Sequence, residues 1–273
     1  MLTRLIPGTD ESLPVIGLGT WEVFDVAGSS DEIDARKRII DMLLENGGSL
    51  IDSSPMYNRS EKIVGDIIRA SGNRDKLFLA TKVWADGKSR GESQMRRSAE
   101  LMSAGVIDLM QVHNLRDTDV HMATIRDWQQ KGRIRYNGIT HYSAHAHGSL
   151  ERAMQKHRPQ FIQVNYSLGE READQRLLPM AVDLGIAVLV NRPYMGGRLF
   201  SAVRGRELPG WATEFAASWG QFFLKFIIGH PAVSCAIPAT SNPQHMADNL
   251  AAGFGVMPDD STRQKMAAFW DSI

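Results

Sequence analysis

The sequence predicts a (β/α)8 barrel, an α/β fold, with a short N-terminal β-hairpin closing its bottom. Three observations lead there. Short β-rich apolar runs alternate with amphipathic segments along the 273 residues, the pattern of a parallel sheet covered by helices. Eight such runs occur, which suits a closed barrel. The competing open, doubly wound sheet would carry G-x-G-x-x-G after its first strand. The stretch "GLGTWE" supplies Gly17 and Gly19 but places Glu22 at the third position.

In chain order, "LTRLIPGTDESLPVI" reads as two short strands around a Pro7-Gly8-Thr9-Asp10 turn. The eight barrel strands are then expected at 15–19, 49–52, 77–82, 107–113, 135–140, 161–165, 186–191 and 233–237. Helices are expected between them. Ile63, Val64, Ile67 and Ile68 form one helical stripe, with Ser60 as its N-cap. Leu177, Met180, Ala181 and Leu184 form another, which Gly185 ends. Phe215, Trp219, Phe222, Phe223 and Phe226 mark a third apolar face, read as core. No linker or low-complexity stretch divides residues 1–273, which read as one domain.

Composition narrows the function classes. Lys plus Arg and Asp plus Glu both number 31, and no charged block stands out, which argues against a nucleic-acid or anionic-membrane surface. The apolar runs, such as "GIAVLV", are too short to span a bilayer, and "MLTRLIPGTD" has no signal-peptide pattern. The single cysteine, Cys235, rules out an internal disulfide and reads as a small core residue. A cytoplasmic protein is the expectation.

The chemistry gathers at strand ends, where a barrel of this kind keeps its active site. "SLID" ends in Asp52, "LFLATK" in Lys82 and "DLMQVH" in His113, and Tyr57 follows Asp52 by one loop. Alone, each has an ordinary reading: a turn cap, a snorkelling lysine, a hydrogen-bonded structural histidine. Together they form a proton-transfer set. An unperturbed tyrosine, with a pKa of about 10, is a poor acid near neutrality. Lys82 as an ammonium would lower that pKa, and Asp52 would hold Lys82 charged and oriented. His113 would help to aim a carbonyl that Tyr57 protonates. A hydride donor is the missing part, and no side chain can be one.

"GLGTW", "IDSSPMYNRSEKIVG", "ATKVW", "DLMQVHN", "NGITHY", "QVNYS" and "IPATSNPQHMADN" together resemble the aldo-keto reductases over essentially the whole chain. The resemblance implies NAD(P)H-dependent, reversible reduction of aldehydes and ketones, with Asp52, Tyr57, Lys82 and His113 as catalytic tetrad. It implies a nicotinamide cofactor extended across the barrel mouth. Gln163 would hold the carboxamide, with Thr140 and His141 where a Ser-Asn pair is common. Asn191 stands where an aromatic ring often stacks under the nicotinamide. Gly196 and Gly197 would admit the pyrophosphate, with Arg192 or Arg198 offsetting its charge; Gly19, Thr20, Pro193 and Tyr194 complete the expected cleft. At the adenosine end, Ala239 and His245 replace a common lysine and arginine, while Thr240 and Asn249 remain. NADP(H) is therefore ranked first, with NAD(H) also admitted.

Trp21, Trp84 and Phe24 are expected to line an apolar entrance for a small carbonyl or alcohol substrate. A chain that ends soon after its last helix would leave that pocket open. Two other readings stay open: a cofactor-sensing regulatory subunit on the same barrel, and a metal-dependent hydrolase. For the latter, His141, His145 and His147 in "THYSAHAH" are the only signal, and without an acidic or thiol partner nearby it is weak.

Overall fold

A computed structural model describes residues 1–273. It contains ten strands: β1 Thr3–Leu5, β2 Ser12–Pro14, β3 Leu18–Gly19, β4 Leu50–Asp52, β5 Phe78–Val83, β6 Ile107–His113, β7 Ile134–His141, β8 Phe161–Asn165, β9 Ala187–Asn191 and β10 Val233–Ala236. The α-helices are α1 Ser30–Glu45, α2 Ser60–Ser71, α3 Lys88–Leu101, α4 Thr118–Gln130, α5 His147–His157, α6 Leu177–Leu184, α7 Arg198–Ala202, α8 Trp219–Ile228, α9 Pro243–Ala251 and α10 Asp260–Asp271. Strands β3 to β10 form one parallel sheet in sequential order. Parallel bridges Ile16–Ala236 and Gly19–Ala239 bring its first and last strands together, as the sequence predicts for a barrel. A Cβ on Gly19 would lie 2.8 Å from the Ile237 carbonyl oxygen, so glycine allows the close approach at this seam.

Two cores follow from the period-two alternation of the strands. Residues such as Ile51, Leu79, Ile139, Ile162 and Val188 belong to the large cluster shared with the helices. Leu50, Phe78, Leu109, Phe161 and Leu189 form a separate cluster inside the barrel. Ile6 and Leu13 of the antiparallel β1–β2 hairpin join that inner cluster, so the hairpin plugs the barrel bottom as expected. Cys235 is part of it and fully buried.

The inner face changes character two residues further along each strand. Leu50 is followed by Asp52, Ala80 by Lys82, Leu109 by Gln111 and His113, and Phe161 by Gln163. A dry lower half thus supports a polar upper half.

Most expected helices appear, with local differences. The N-cap of α2 is Arg59, without a side-chain cap bond; Ser60 lies inside the helix and its Oγ donates to the Thr20 carbonyl at 3.4 Å. Gly185 ends α6 in the left-handed conformation, as its position predicts. Phe215 precedes α8 rather than lying on it, yet its ring stacks 6.1 Å from that of Phe222.

Gly65 tests the helix packing. It is buried in α2, and a Cβ there would stand 1.8 Å from the Leu101 carbonyl oxygen at the end of α3. On an exposed helix Gly→Ala stabilises by about 1 kcal/mol. Here Gly65→Ala is expected to destabilise instead, by ~1–3 kcal/mol or more, because backbone must move. Urea unfolding reads the sign directly, and a stabilised variant would show that α2 and α3 separate freely.

Candidate active site

At the C-terminal ends of the barrel strands lies a cavity of about 770 Å³. Asp52, Tyr57 and His113 line it, and Lys82 lies fully buried beside them. Lys82 Nζ donates to Asp52 Oδ2 at 2.5 Å and to the Ser53 carbonyl at 2.8 Å. The same ammonium sits 4.9 Å from the centroid of the Tyr57 ring. The His113 ring meets the Tyr57 ring edge-on, with centroids 6.1 Å apart. Residues from β4, β5, β6 and the loop after β4 therefore converge on one spot.

Asp52 is held on its other oxygen as well. Its Oδ1 accepts from Gln163 Nε2 at 2.8 Å and from Gln111 Nε2 at 3.1 Å. A carboxylate only accepts, so both amides must turn their nitrogens toward it. Gln163 Nε2 also donates to Gln111 Oε1 at 3.2 Å. The sequence reading did not single out Gln111. Its signal was available: it precedes His113 by two and so shares that residue's face of β6.

The electrostatics qualify one expectation. Burial pushes the Tyr57 phenol up; the Lys82 ammonium pulls it down, as the sequence suggests, but burial outweighs that pull and the net shift is upward. The phenol keeps its proton more firmly than a free tyrosine. Lys82 is opposed by its burial, yet Asp52 and Tyr57 more than offset this and raise its pKa. His113 is lowered to about 3, by burial first and then by the charges of Lys82 and His141, so its imidazole is neutral at ordinary pH.

Around this floor, the cavity wall takes in Gly19, Thr20, Thr140, Gln163, Asn191, Arg192, Pro193, Tyr194, Gly196, Gly197, Ala239, Thr240, His245 and Asn249. Gln163 Oε1 faces Thr140 Oγ1 and Asn191 Nδ2, each at 3.4 Å. Asn191 Oδ1 is buried without a partner, a free acceptor in the wall. At the far end Tyr194 donates to Asn249 Oδ1 at 2.5 Å. Gly196 and Gly197 have positive φ of 65° and 89°, with open space where a Cβ would be.

Four expected positions fall outside the wall. Phe24 is fully buried in the outer core, because the loop after β3 turns its ring inward. Trp84 is covered by Arg116, whose guanidinium carbon lies 4.0 Å from the ring centroid. Arg198 points to Glu170, 3.3 Å away. His141 stacks on Tyr142, with centroids 5.3 Å apart, and Tyr142 rather than His141 reaches the wall. Of the three expected entrance aromatics only Trp21 lines the cavity, where it is half-exposed. Glu22, Val23, Asn114, Tyr142, Phe200 and Asp248 line it too and were not foreseen. Asn114 directly follows His113; Glu22, Val23 and Tyr142 sit on loops whose direction sequence does not reveal, and Phe200 and Asp248 reach the wall from α7 and α9.

The histidine-rich stretch is otherwise engaged. His147 Nε2 lies 3.2 Å from Asn165 Oδ1, and His141 Nδ1 accepts from the Ser143 N–H at 3.2 Å. No group of three or more His, Cys, Asp or Glu side chains is placed so that it could hold a metal ion. No helix is long and apolar enough to cross a membrane.

Comparison with known proteins adds to this geometry. The family model of the aldo/keto reductase family matches residues 15–265. The aldo-keto reductase YhdN of Bacillus subtilis is 30% identical over 190 residues, an alignment spanning 64% of this chain but only 56% of that protein. An NADH-specific methylglyoxal reductase of Escherichia coli is 28% identical, with 75% of this chain and 71% of that protein covered. Among solved structures, an aldo-keto reductase of Klebsiella pneumoniae in complex with NADPH superposes with a TM-score of 0.82 at 23% identity, covering 99% of this chain and 96% of that one. That likeness is one of fold, and it is the fold described above. The match over nearly the whole barrel is decisive: the chain belongs to the aldo/keto reductase family.

Proposed function

We propose that this barrel is an NAD(P)H-dependent oxidoreductase that reversibly reduces small aldehydes and ketones to alcohols. One observation carries the reading. A phenol, a buried ammonium, a carboxylate and a neutral imidazole meet at the floor of a cavity whose wall fits an extended dinucleotide. The unpartnered Asn191 Oδ1 and the weakly held Gln163 Oε1 suit the carboxamide, and the Gly196-Gly197 backbone suits the pyrophosphate. The relative named for methylglyoxal reduction supports a small carbonyl substrate.

The dinucleotide, when bound, supplies the hydride. The protein's groups manage the proton and the charge. Tyr57 holds its proton at neutral pH and passes it to the carbonyl oxygen as negative charge develops there. Lys82 then stabilises the phenolate left behind, and Asp52 with its two amide donors keeps the ammonium in place. Neutral His113 donates a hydrogen bond to the same oxygen and aims it.

The adenosine end bears on cofactor choice. The basic side chains in the wall are Arg192 and His245, and Asp248 adds a carboxylate. We rank NADP(H) first on family likeness, with NAD(H) admitted, since the relatives include both an NADPH complex and an NADH-specific enzyme.

Tyr57→Phe tests the mechanism: cofactor affinity changes little while aldehyde reduction falls by about two to four orders of magnitude. Turnover near the wild-type rate would remove Tyr57 from its role.

Lys82→Met tests the ammonium. Its loss leaves burial unopposed, so the rising limb of alcohol oxidation, which needs the phenolate, moves to higher pH. A folded variant with the wild-type pH profile would contradict the assignment.

For the cofactor, a charge-assisted hydrogen bond to the 2′-phosphate contributes about 1.5–3 kcal/mol. With few such partners here, NADPH and NADH dissociation constants are expected to differ by about ten-fold or less, in a salt-sensitive way. Fluorescence titration at two ionic strengths reads this, with Ala239→Lys expected to strengthen NADPH alone. A thousand-fold NADPH preference, indifferent to salt and to that substitution, would mean the phosphate sits elsewhere.

A further inference from the structure

We infer that Ser54 is a positioning residue for His113: its hydroxyl donates to Nδ1, which fixes the imidazole as the Nε2–H tautomer and turns a donor toward the cavity. The inference rests on the carbonyl-reduction reading for its consequence, but the hydrogen-bond assignment stands on geometry.

A neutral imidazole carries one N–H, and its place decides whether His113 can donate to a substrate oxygen. The Nδ1 atom of His113 lies 3.1 Å from Ser54 Oγ, and Nε2 has no protein partner while the residue lines the cavity. Distance alone leaves the direction of the Ser54 bond open, because a hydroxyl both donates and accepts.

The surroundings of Ser54 decide it. The residue is fully buried. Its Oγ already accepts the backbone N–H of Met56 at 3.2 Å. His113 Nδ1 is the one acceptor that the structure brings within reach of its hydroxyl proton. Were Nδ1 the protonated nitrogen, the hydroxyl would receive two donors and its own proton would have no acceptor in a site without water access. An unsatisfied buried polar group of that kind costs about 1–3 kcal/mol. With the bond running from Ser54 to Nδ1, the N–H of Met56, the hydroxyl proton and the Nδ1 lone pair are all satisfied. The proton of His113 then sits on Nε2.

The local sequence makes this possible. In "IDSSPMY" the chain leaves β4 at Asp52, and Ser53 gives its carbonyl to Lys82. Ser54 comes next, its carbonyl taken by the Tyr57 N–H at 3.0 Å. Three consecutive residues thus hold the ammonium's carboxylate, the ammonium and the histidine, and the fifth residue after Asp52 is the phenol itself.

Long-range ¹H–¹⁵N correlation spectra of the full chain, with His113 assigned through a His113→Gln variant, test the assignment without turnover. The wild type is expected to show Nδ1 as unprotonated and Nε2 as the N–H nitrogen. In Ser54→Ala the preference is expected to weaken toward a mixture, with kcat for aldehyde reduction falling about ten-fold and NADPH affinity unchanged. Ser54→Thr, which keeps a hydroxyl, is expected to restore the wild-type pattern. A wild-type spectrum with the proton on Nδ1 would overturn the inference whatever the variants do, and so would an unchanged tautomer in Ser54→Ala. A failure of carbonyl reduction itself would be distinguished by Tyr57→Phe, which leaves the His113 tautomer untouched.

Discussion

The buried pair of Lys82 and Asp52 is the constraint around which the barrel mouth is organised. Two opposite charges are almost wholly removed from water. Their attraction at 2.5 Å repays that desolvation only where the remaining donors and acceptors are also matched. They are. Ser53 offers a carbonyl to the ammonium, and Gln111 and Gln163 offer amides to the free carboxylate oxygen. Removing one of these partners would leave a charge under-solvated, and removing one charge would strand the other. The dry lower half of the barrel sharpens this, because no water can enter from below to compensate.

Gln163 is where that constraint meets the cavity wall. Its nitrogen is committed to Asp52, so only its oxygen can serve a ligand in the wall. The residue expected to hold a carboxamide would have only its oxygen free to do so, and Asn191 Oδ1 stands nearby as an unpartnered acceptor. A polar side chain in place of a ring exchanges face-to-face contact for hydrogen bonding. A nicotinamide seated here would be fixed more by its amide than by its face, and its position would be tied through Gln163 to the carboxylate that orients Lys82.

What the sequence made legible follows from what repeats. The alternation of apolar runs located the barrel strands, because period two and parallel pairing leave few other arrangements. The switch from Leu50 to Asp52 and from Ala80 to Lys82 marked the floor of the site, since a polar residue on an inner face needs a partner there. The same rule marks Gln111, two residues before the terminal histidine on the same face of β6. Loops obeyed no such rule. Phe24 and Trp84 lie close in sequence to strand ends, but one ring turned into the outer core and the other under Arg116. Arg198 is six residues beyond Arg192, and a single turn of backbone at Gly196 and Gly197 sends it to Glu170 instead of the cavity. Nothing in composition distinguishes those outcomes.

The raised phenol of Tyr57 sets the resting protonation state of the site. A tyrosine that loses its proton easily would sit as a phenolate beside Lys82 and have nothing to donate. Burial prevents this, so the resting cluster carries the Lys82–Asp52 pair, a protonated phenol and a neutral imidazole. That state suits the proposed role of giving a proton and a hydrogen bond to a carbonyl oxygen as it gains charge. In the proposed reduction Lys82 would act in the other half of the event: its pull on the phenol would be worth most once the proton has left, when the phenolate would otherwise face Asp52 across a buried site. The same burial that withholds the proton from water thus requires the ammonium, and the ammonium requires the carboxylate. Taken in that order, each member of the cluster is explained by the charge its neighbour would leave unbalanced.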